Sequence, residues 1–491
     1  MILMLMQEGR VTSFLRVSCM ASFRLWSLAT FLFMVHVHVL ASSRSQQQQP
    51  EKICLNEQPL HSKTFLSEAF TLGPGDVQNK VYHMEFPTGH IAVRSFFAEV
   101  VDELGVPVPL YELYLHHWIV VNIYVNQSEK ESFLREGYGE RNSPTFIMAG
   151  NDGVCPHKEL SQIFGLGSET RRTNTSIPSP YGIVVGDPNK IPDEYEELWL
   201  LNVHAIDTRE VLDRQGCTEC RCNLYNVTAE DNGKPLKGYV GGLRCCEDGT
   251  HCRLGEGLIK AARRKLFLQY TVKWVEFNEC VIPVKVYIFD VTETGNRCQV
   301  EYDTPSCPSF GFPRDCIDTR ETRVASPQSG EVIYGVAHQH SGGKGASLYG
   351  EDGREICTSL PLYGSGTTPG DEAGYVVGMS SCYPKPGSLK IEDKEVLRLQ
   401  SNYSTNKVHT GVMGLFYLLV ASPIHGTSIF KDTNFGTSSK LRQAPYEIAN
   451  GSRIPTNIVF GIVMVVGVSF IVAFVVAKRN GRALQYEALT S

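Results

Sequence analysis

The chain has 491 residues, 42% hydrophobic and 20% charged, with 46 Lys and Arg against 52 Asp and Glu for a formal net charge of −6. That mild acidity, without a basic cluster, argues against nucleic acid as a partner. Tyr, Val, Thr and Gly are plentiful and the apolar runs are short and broken by Gly or Pro, a composition of strands more than helices.

In chain order, residues 1–43 read as a signal-peptide region. Arg24 precedes the apolar run LWSLATFLFMVHVHVL, which ends in Ala41, Ser42 and Ser43. Positive, apolar, then small is the order of a secretory signal. Met20 is an alternative start. His36 and His38 leave with this run and are not ligand candidates. A polar, Gln-rich lead-in covers 44–53. A first β-sandwich domain is expected over 54–216, with its clearest strands at YLHHWIVVNIYV (Tyr114 to Val125) and ELWLLNVHAI (Glu197 to Ile206). A Cys-rich connector pinned by disulfides follows at 217–258. A second β-sandwich domain is expected over 265–422, opening with FLQYTVKWVEF and VIPVKVYIFDV and closing with VHTGVMGLFYLLVAS. Between them, GEVIYGVAHQHSGGKGASLYGEDGREIC reads as a hairpin with Glu351-Asp352-Gly353 at its second turn. The fold class is therefore mainly β, two antiparallel sandwiches in tandem.

Residues 423–455 read as a stalk and 456–477 as a transmembrane helix. Ile458 to Ala477 carry no charge, and about 20 residues at roughly 1.5 Å each span a bilayer core. Lys478, Arg479 and Arg482 follow, the basic flank of a cytoplasmic side. A cleaved signal and one such helix predict a single-pass type I protein of the secretory-pathway membrane, at the plasma membrane, with its ectodomain outside. The tail, 478–491, contains YEAL from Tyr486, which fits a sorting-adaptor signal.

Of fifteen cysteines, Cys19 lies in the signal region. The others are Cys54, Cys155, Cys217, Cys220, Cys222, Cys245, Cys246, Cys252, Cys280, Cys298, Cys307, Cys316, Cys357 and Cys382. An even set in an oxidising compartment predicts disulfides, with connectivity unreadable from sequence. A zinc knuckle is the competing reading of the densest group, Cys217 to Cys252. Glycosylation sequons start at Asn126, Asn174, Asn226, Asn402 and Asn450, all before the predicted helix.

The histidines carry the chemistry. His116–His117, His204 and His338-Gln339-His340 sit within apolar strands, where an imidazole is costly without a partner. Residues i and i+2 of a strand share a face, so His338 and His340 can reach one ion. His116 and His117 can share one only if their strand bulges or ends there, or if one ring binds through its other nitrogen. The competing reading is packed histidines, each bonded to a carbonyl. Met413 by itself is an ordinary core residue; a thioether with imidazoles suits copper. His409 shares a strand face with Met413 and is a candidate supporting group. His157 and His251 sit beside cysteines in polar loops, and Asp352 and Asp371 in turn-like contexts that suit capping. SGGKGAS opens no helix and makes a poor phosphate loop.

LHHWIVV, WLLNVHAI, AHQH and VMGLFYLL, in that order, resemble the copper type II, ascorbate-dependent monooxygenases of the peptide-amidating and dopamine-hydroxylating type. The resemblance implies an electron-supplying copper on His116, His117 and His204, and an oxygen-binding copper on His338, His340 and Met413. It also implies ascorbate as reductant, Tyr417 on the substrate side, and paired antiparallel sandwiches. The chain departs from that pattern. Val120, Val121 and Asn122 stand where the family follows its His-His with Cys, Gly414 follows Met413, and Val336 replaces an Arg that would meet a peptide carboxylate. Over most of the ectodomain the chain more closely resembles the stress up-regulated nodulin family of plants, through RCNLYNVT, GGLRCC, AHQHSGGKGASLYGEDGREIC, PGDEAGYVVGMSSCYPKPG and HTGVMGLFYLLVA. That likeness implies a stress-linked membrane protein. Three functions follow for comparison: a two-copper monooxygenase acting on an unnamed small molecule or peptide, a copper-holding protein without turnover, and a receptor-like or adhesive ectodomain that has kept the fold alone.

Overall fold

The computed structural model describes residues 58–136, 146–153, 155, 160–221, 247–256, 261–294, 298–307 and 316–422. The signal region, Cys54, much of the connector with Cys222, Cys245 and Cys246, Asn226, Asn450, the stalk, the predicted helix and Tyr486 lie outside them. Among the described residues no helix is long and apolar enough to cross a membrane.

The described chain is mainly β. Its first half contributes β1 (His61–Leu66), β2 (Phe70–Leu72), β3 (Val77–His83), β4 (Ile91–Asp102), β5 (Leu113–Asn126), β6 (Phe146–Met148), β7 (Phe164–Leu166), β8 (Tyr181–Val185) and β9 (Tyr195–Asp207). Beyond the connector come β10 (Arg264–Glu276), β11 (Ile282–Asp290), β12 (Glu301–Thr304), β13 (Ile317–Ala325), β14 (Gly330–Gln339), β15 (Gly343–Tyr349) and β16 (Glu355–Ser359). The last five are β17 (Pro361–Tyr363), β18 (Val376–Met379), β19 (Lys390–Ile391), β20 (Val396–Ser404) and β21 (His409–Ala421).

One sheet runs β3-β9-β5-β6, with β7 also on β5. Facing it is β1-β10-β4-β8: Phe96 of β4 lies 5.0 Å from Trp118 of β5, ring centre to ring centre. Parallel pairing at only Ile282↔Tyr181 and Pro283↔Gly182 connects β8 to the next set, β11-β21-β14-β19. Those two sets, with β2 and β12, are one ten-stranded sheet; a separate four-stranded sheet, β13-β20-β15-β16, packs on its second part, with Gln339 Nε2 donating to Ser401 Oγ at 2.8 Å.

The patterning explains the layers. In β20 (VLRLQSNYS) buried and half-buried residues alternate strictly, as in a strand with one face inward. In β21 (HTGVMGLFYLLVA) every residue is buried, so this central strand is covered on both faces and needs apolar side chains throughout.

Two expectations change. FLQYTVKWVEF, read as the opening of the second half, is β10 and pairs with β4 from Leu266↔Asp102 to Glu276↔Ile91. Alternation marks a strand but does not say which sheet it joins. The two strands of GEVIYGVAHQHSGGKGASLYG also part company: β14 pairs with β21, and β15 with β20 and β16. The hairpin is the β15–β16 pair, around Glu351-Asp352-Gly353, where Gly353 has φ +82°.

Disulfides join Cys155–Cys298, Cys217–Cys252, Cys307–Cys316 and Cys357–Cys382. Cys220 and Cys280 are also disulfide-bonded. The zinc-knuckle reading therefore fails for Cys217, Cys220 and Cys252, whose sulfurs are committed.

Candidate metal centre

The first three histidines meet because β5 bulges. Its register to β9 passes from Leu115↔Ala205 directly to His117↔His204, leaving His116 as the extra residue. A regular strand would send His116 and His117 to opposite faces; a bulge turns both toward one neighbour. Ring centres are 4.3 Å apart for His116–His204, 5.0 Å for His117–His204 and 5.5 Å for His116–His117. One nitrogen from each lies within 4.8 Å of the others.

The second half brings its histidines to the same place. His338 and His340, on one face, have ring centres 5.2 Å apart, and His340 lies 4.6 Å from His116. The register His338↔Leu415 and Gln339↔Gly414 carries β21 alongside. The Tyr403 hydroxyl accepts from the His340 backbone N–H at 2.8 Å and donates to the Met413 carbonyl at 2.6 Å, tying the two backbones together. Gly414, on the opposite face of β21 from Met413, has no room for a side chain because Val291 and Ser401 fill that space.

Two contacts orient rings. Glu169 Oε1 sits 2.5 Å from His338 Nδ1, and Asn202 Oδ1 lies 2.8 Å from His117 Nε2. A carboxylate or amide on one ring nitrogen fixes the tautomer and presents the other. Glu169 rides on a 3-10 turn, Ser168–Arg171, and its other oxygen accepts the Gly167 N–H at 3.0 Å. Gly167 is required there: a Cβ would collide with the His116 carbonyl oxygen and lie 3.1 Å from His338 Cε1. Tyr417 stands opposite Val336, on the face of β21 that holds Met413, and accepts from Gln162 Nε2 at 3.0 Å.

Seven ring nitrogens have no hydrogen-bond partner among the described residues: Nδ1 of His116 and His117, both of His204, Nε2 of His338, and both of His340. His204 is fully buried, and His116, His338 and His340 are 1–3% exposed; His117 is half-buried. Protonation is no remedy. Burial holds His116, His204 and His340 well below the usual imidazole range, the neighbouring rings adding to it, with a Gly411 backbone group opposing slightly at His340. His117 is pushed down to about 4 by burial, against the pull of Asn202. An unsatisfied buried group costs about 1–3 kcal/mol, so a cluster of them calls for a bound partner. Neutral imidazoles with free nitrogens, converging near a buried Met413, form a donor set that fits copper.

Other candidates fall elsewhere. His409 Nδ1 bonds Glu219 Oε1 at 2.7 Å, tying β21 to the connector. His251 pairs with Asp76 at 3.0 Å. Cys155, Glu293 and Cys298 lie together, but the two sulfurs form a disulfide. Asn126 and Asn174 accept from the backbone N–H of Ser128 and Ser176 in turns, whereas Asn402 lies within β20 and accepts from Thr319.

The sequence reading missed Glu169, Asn202, Glu219 and Tyr403. Asn202 had a signal, being a polar residue two before His204 in an apolar strand. Glu169 had none in the polar stretch SETRRTNTS.

Facing β-sheets around a buried polyhistidine cluster define the class. The chain belongs to the stress up-regulated Nod 19 family, whose pattern matches residues 58–423. No curated protein matches it. Among solved structures it is similar to the STIV MCP (7% identity, 74% of this chain and 96% of that one, TM-score 0.24). It is also similar to infectious bursal disease virus Gt strain (11%, 74% and 72%, 0.15) and to the mosquito-larvicidal Cry4Aa toxin from Bacillus thuringiensis (7%, 68% and 59%, 0.17). Scores this low carry no structural argument.

Proposed function

We propose that this family member is a copper protein of the oxygen-activating, monooxygenase kind, built on two β-sandwiches in tandem and anchored by one C-terminal helix with its ectodomain outside the cytoplasm. The observation that carries the reading is the set of seven partnerless ring nitrogens on five clustered histidines. In this reading the ten-stranded sheet divides at the short β8–β11 pairing: its β1-β10-β4-β8 part and β3-β9-β5-β6 would be the first sandwich, its β11-β21-β14-β19 part and β13-β20-β15-β16 the second.

Copper, when bound, supplies one-electron redox and oxygen chemistry. His116, His117 and His204 would hold one ion, and His338, His340 and Met413 would hold the other. Glu169 keeps the proton of His338 on Nδ1 and leaves Nε2 free to coordinate. Asn202 does the converse for His117, leaving Nδ1. His117 is the least buried of the five, so a reductant such as ascorbate would approach from its edge. Tyr417, held by Gln162, would stand on the substrate side. Glycans on the sequon asparagines accompany an extracytoplasmic, stress-linked role.

Copper holding without turnover is the second reading, favoured by the near-complete burial of the other four rings. Ascorbate-dependent oxygen uptake by the copper-loaded full chain separates the two. Uptake coupled to oxidation of an added substrate, lost in His338→Ala, supports catalysis. Bound copper with no uptake leaves the holding role.

A further inference from the structure

The distances do not divide the five histidines by half of the chain. His116 lies nearer to His340 across the halves, at 4.6 Å, than to its own neighbour His117, at 5.5 Å. His340 is likewise nearer to His116 than to His338, at 5.2 Å. The His116 and His340 planes cross at 81°, so the rings meet edge to face and do not stack. Gly167, lacking a side chain, lets the His116 backbone and the His338 ring come together beside this pair. The Glu169–His338 bond holds it, since Glu169 comes from the first half and His338 from the second.

From this geometry we infer that the five histidines form one composite centre, in which an ion on His116, His117 and His204 and an ion on His338 and His340 are close enough to couple magnetically. This rests on the copper reading above and replaces two independent mononuclear sites with a coupled pair. Such a pair can exchange two electrons with one oxidant without a long transfer between sites. His116 and His340 are the residues at its seam.

The test uses the full chain, made through a secretory route, purified in mild detergent and loaded with Cu(II). Metal analysis is read beside the integrated paramagnetic resonance signal. The composite centre gives about two coppers per chain, as in two-metal sites, but clearly less spin than copper, with a half-field transition. His340→Ala leaves roughly one copper carrying one full spin, because its coupling partner is gone. Two coppers with two full, independent spins overturn the inference while leaving the copper reading intact. No stoichiometric copper overturns both. The half-field transition is read on the unmodified chain, so the test survives a variant that fails to fold.

Discussion

At the scale of single residues, the site depends on small clearances and on neutral rings. Gly167→Ala places a methyl against the His116 carbonyl and the His338 ring. It is expected to cost about 1–3 kcal/mol, as overpacking does, and to weaken copper binding, measured by denaturant titration with and without metal. Met413→Ile conserves volume, so the stability loss is expected below about 1.5 kcal/mol while one copper is lost; equal loss of fold and metal would count against a ligand role. The rings also set a pH dependence. His116, His117, His204 and His340 have pKa values below that of the unfolded chain, so the copper-free folded state binds fewer protons than the unfolded one. Stability then rises with pH through that window. It is complete above about 6.5 and drains as pH falls toward the value of about 4 for His117. Urea unfolding of the copper-free protein between those limits checks the sign, and a midpoint that rises on acidification contradicts it.

At the scale of elements, what was legible follows from alternation and what was not follows from departures from it. The shared face of His338 and His340 was readable because β14 is regular there. The bulge at His116 was not, since a bulge leaves no residue signature in LYLHHWIVV; only the need for one could be stated. Strand positions in β5, β9 and β21 are likewise clear, but partner choice is not: β10 pairs with β4, far back in the chain, and not with the strands that follow it. Pairing depends on contacts distant in sequence, which periodicity does not encode. The Cys357–Cys382 bond packs on Gly335, where an added Cβ would lie 2.8 Å from Cys357 Sγ and 2.9 Å from Cys382 Sγ. It thereby buttresses β14 three residues before His338. Replacing both cysteines by Ala is expected to cost about 2–4 kcal/mol, and slowed amide exchange retained across β14 would refute that support.

At the scale of the whole molecule, the stitching between halves was invisible in the sequence. Part of it runs through one polar segment: Glu169 to His338, Arg171 to Glu372 at 3.1 Å, Thr173 to Met379 at 2.9 Å, and the Asn174 carbonyl to the Tyr334 hydroxyl at 2.9 Å. SETRRTNTS reads as a surface loop because its polar groups are satisfied by residues distant in sequence, on β4 as well as in the other half. The sequence offers the candidate ligands and their order but keeps them at two sites, since nothing in a linear pattern brings His340 to His116. The central claim, that these histidines hold copper, is tested most directly by metal analysis of the full chain beside His204→Ala. The account predicts stoichiometric copper in the parent and loss of one ion in the variant, with the β-sheet circular dichroism retained. A folded, disulfide-intact parent that binds no stoichiometric copper would contradict it.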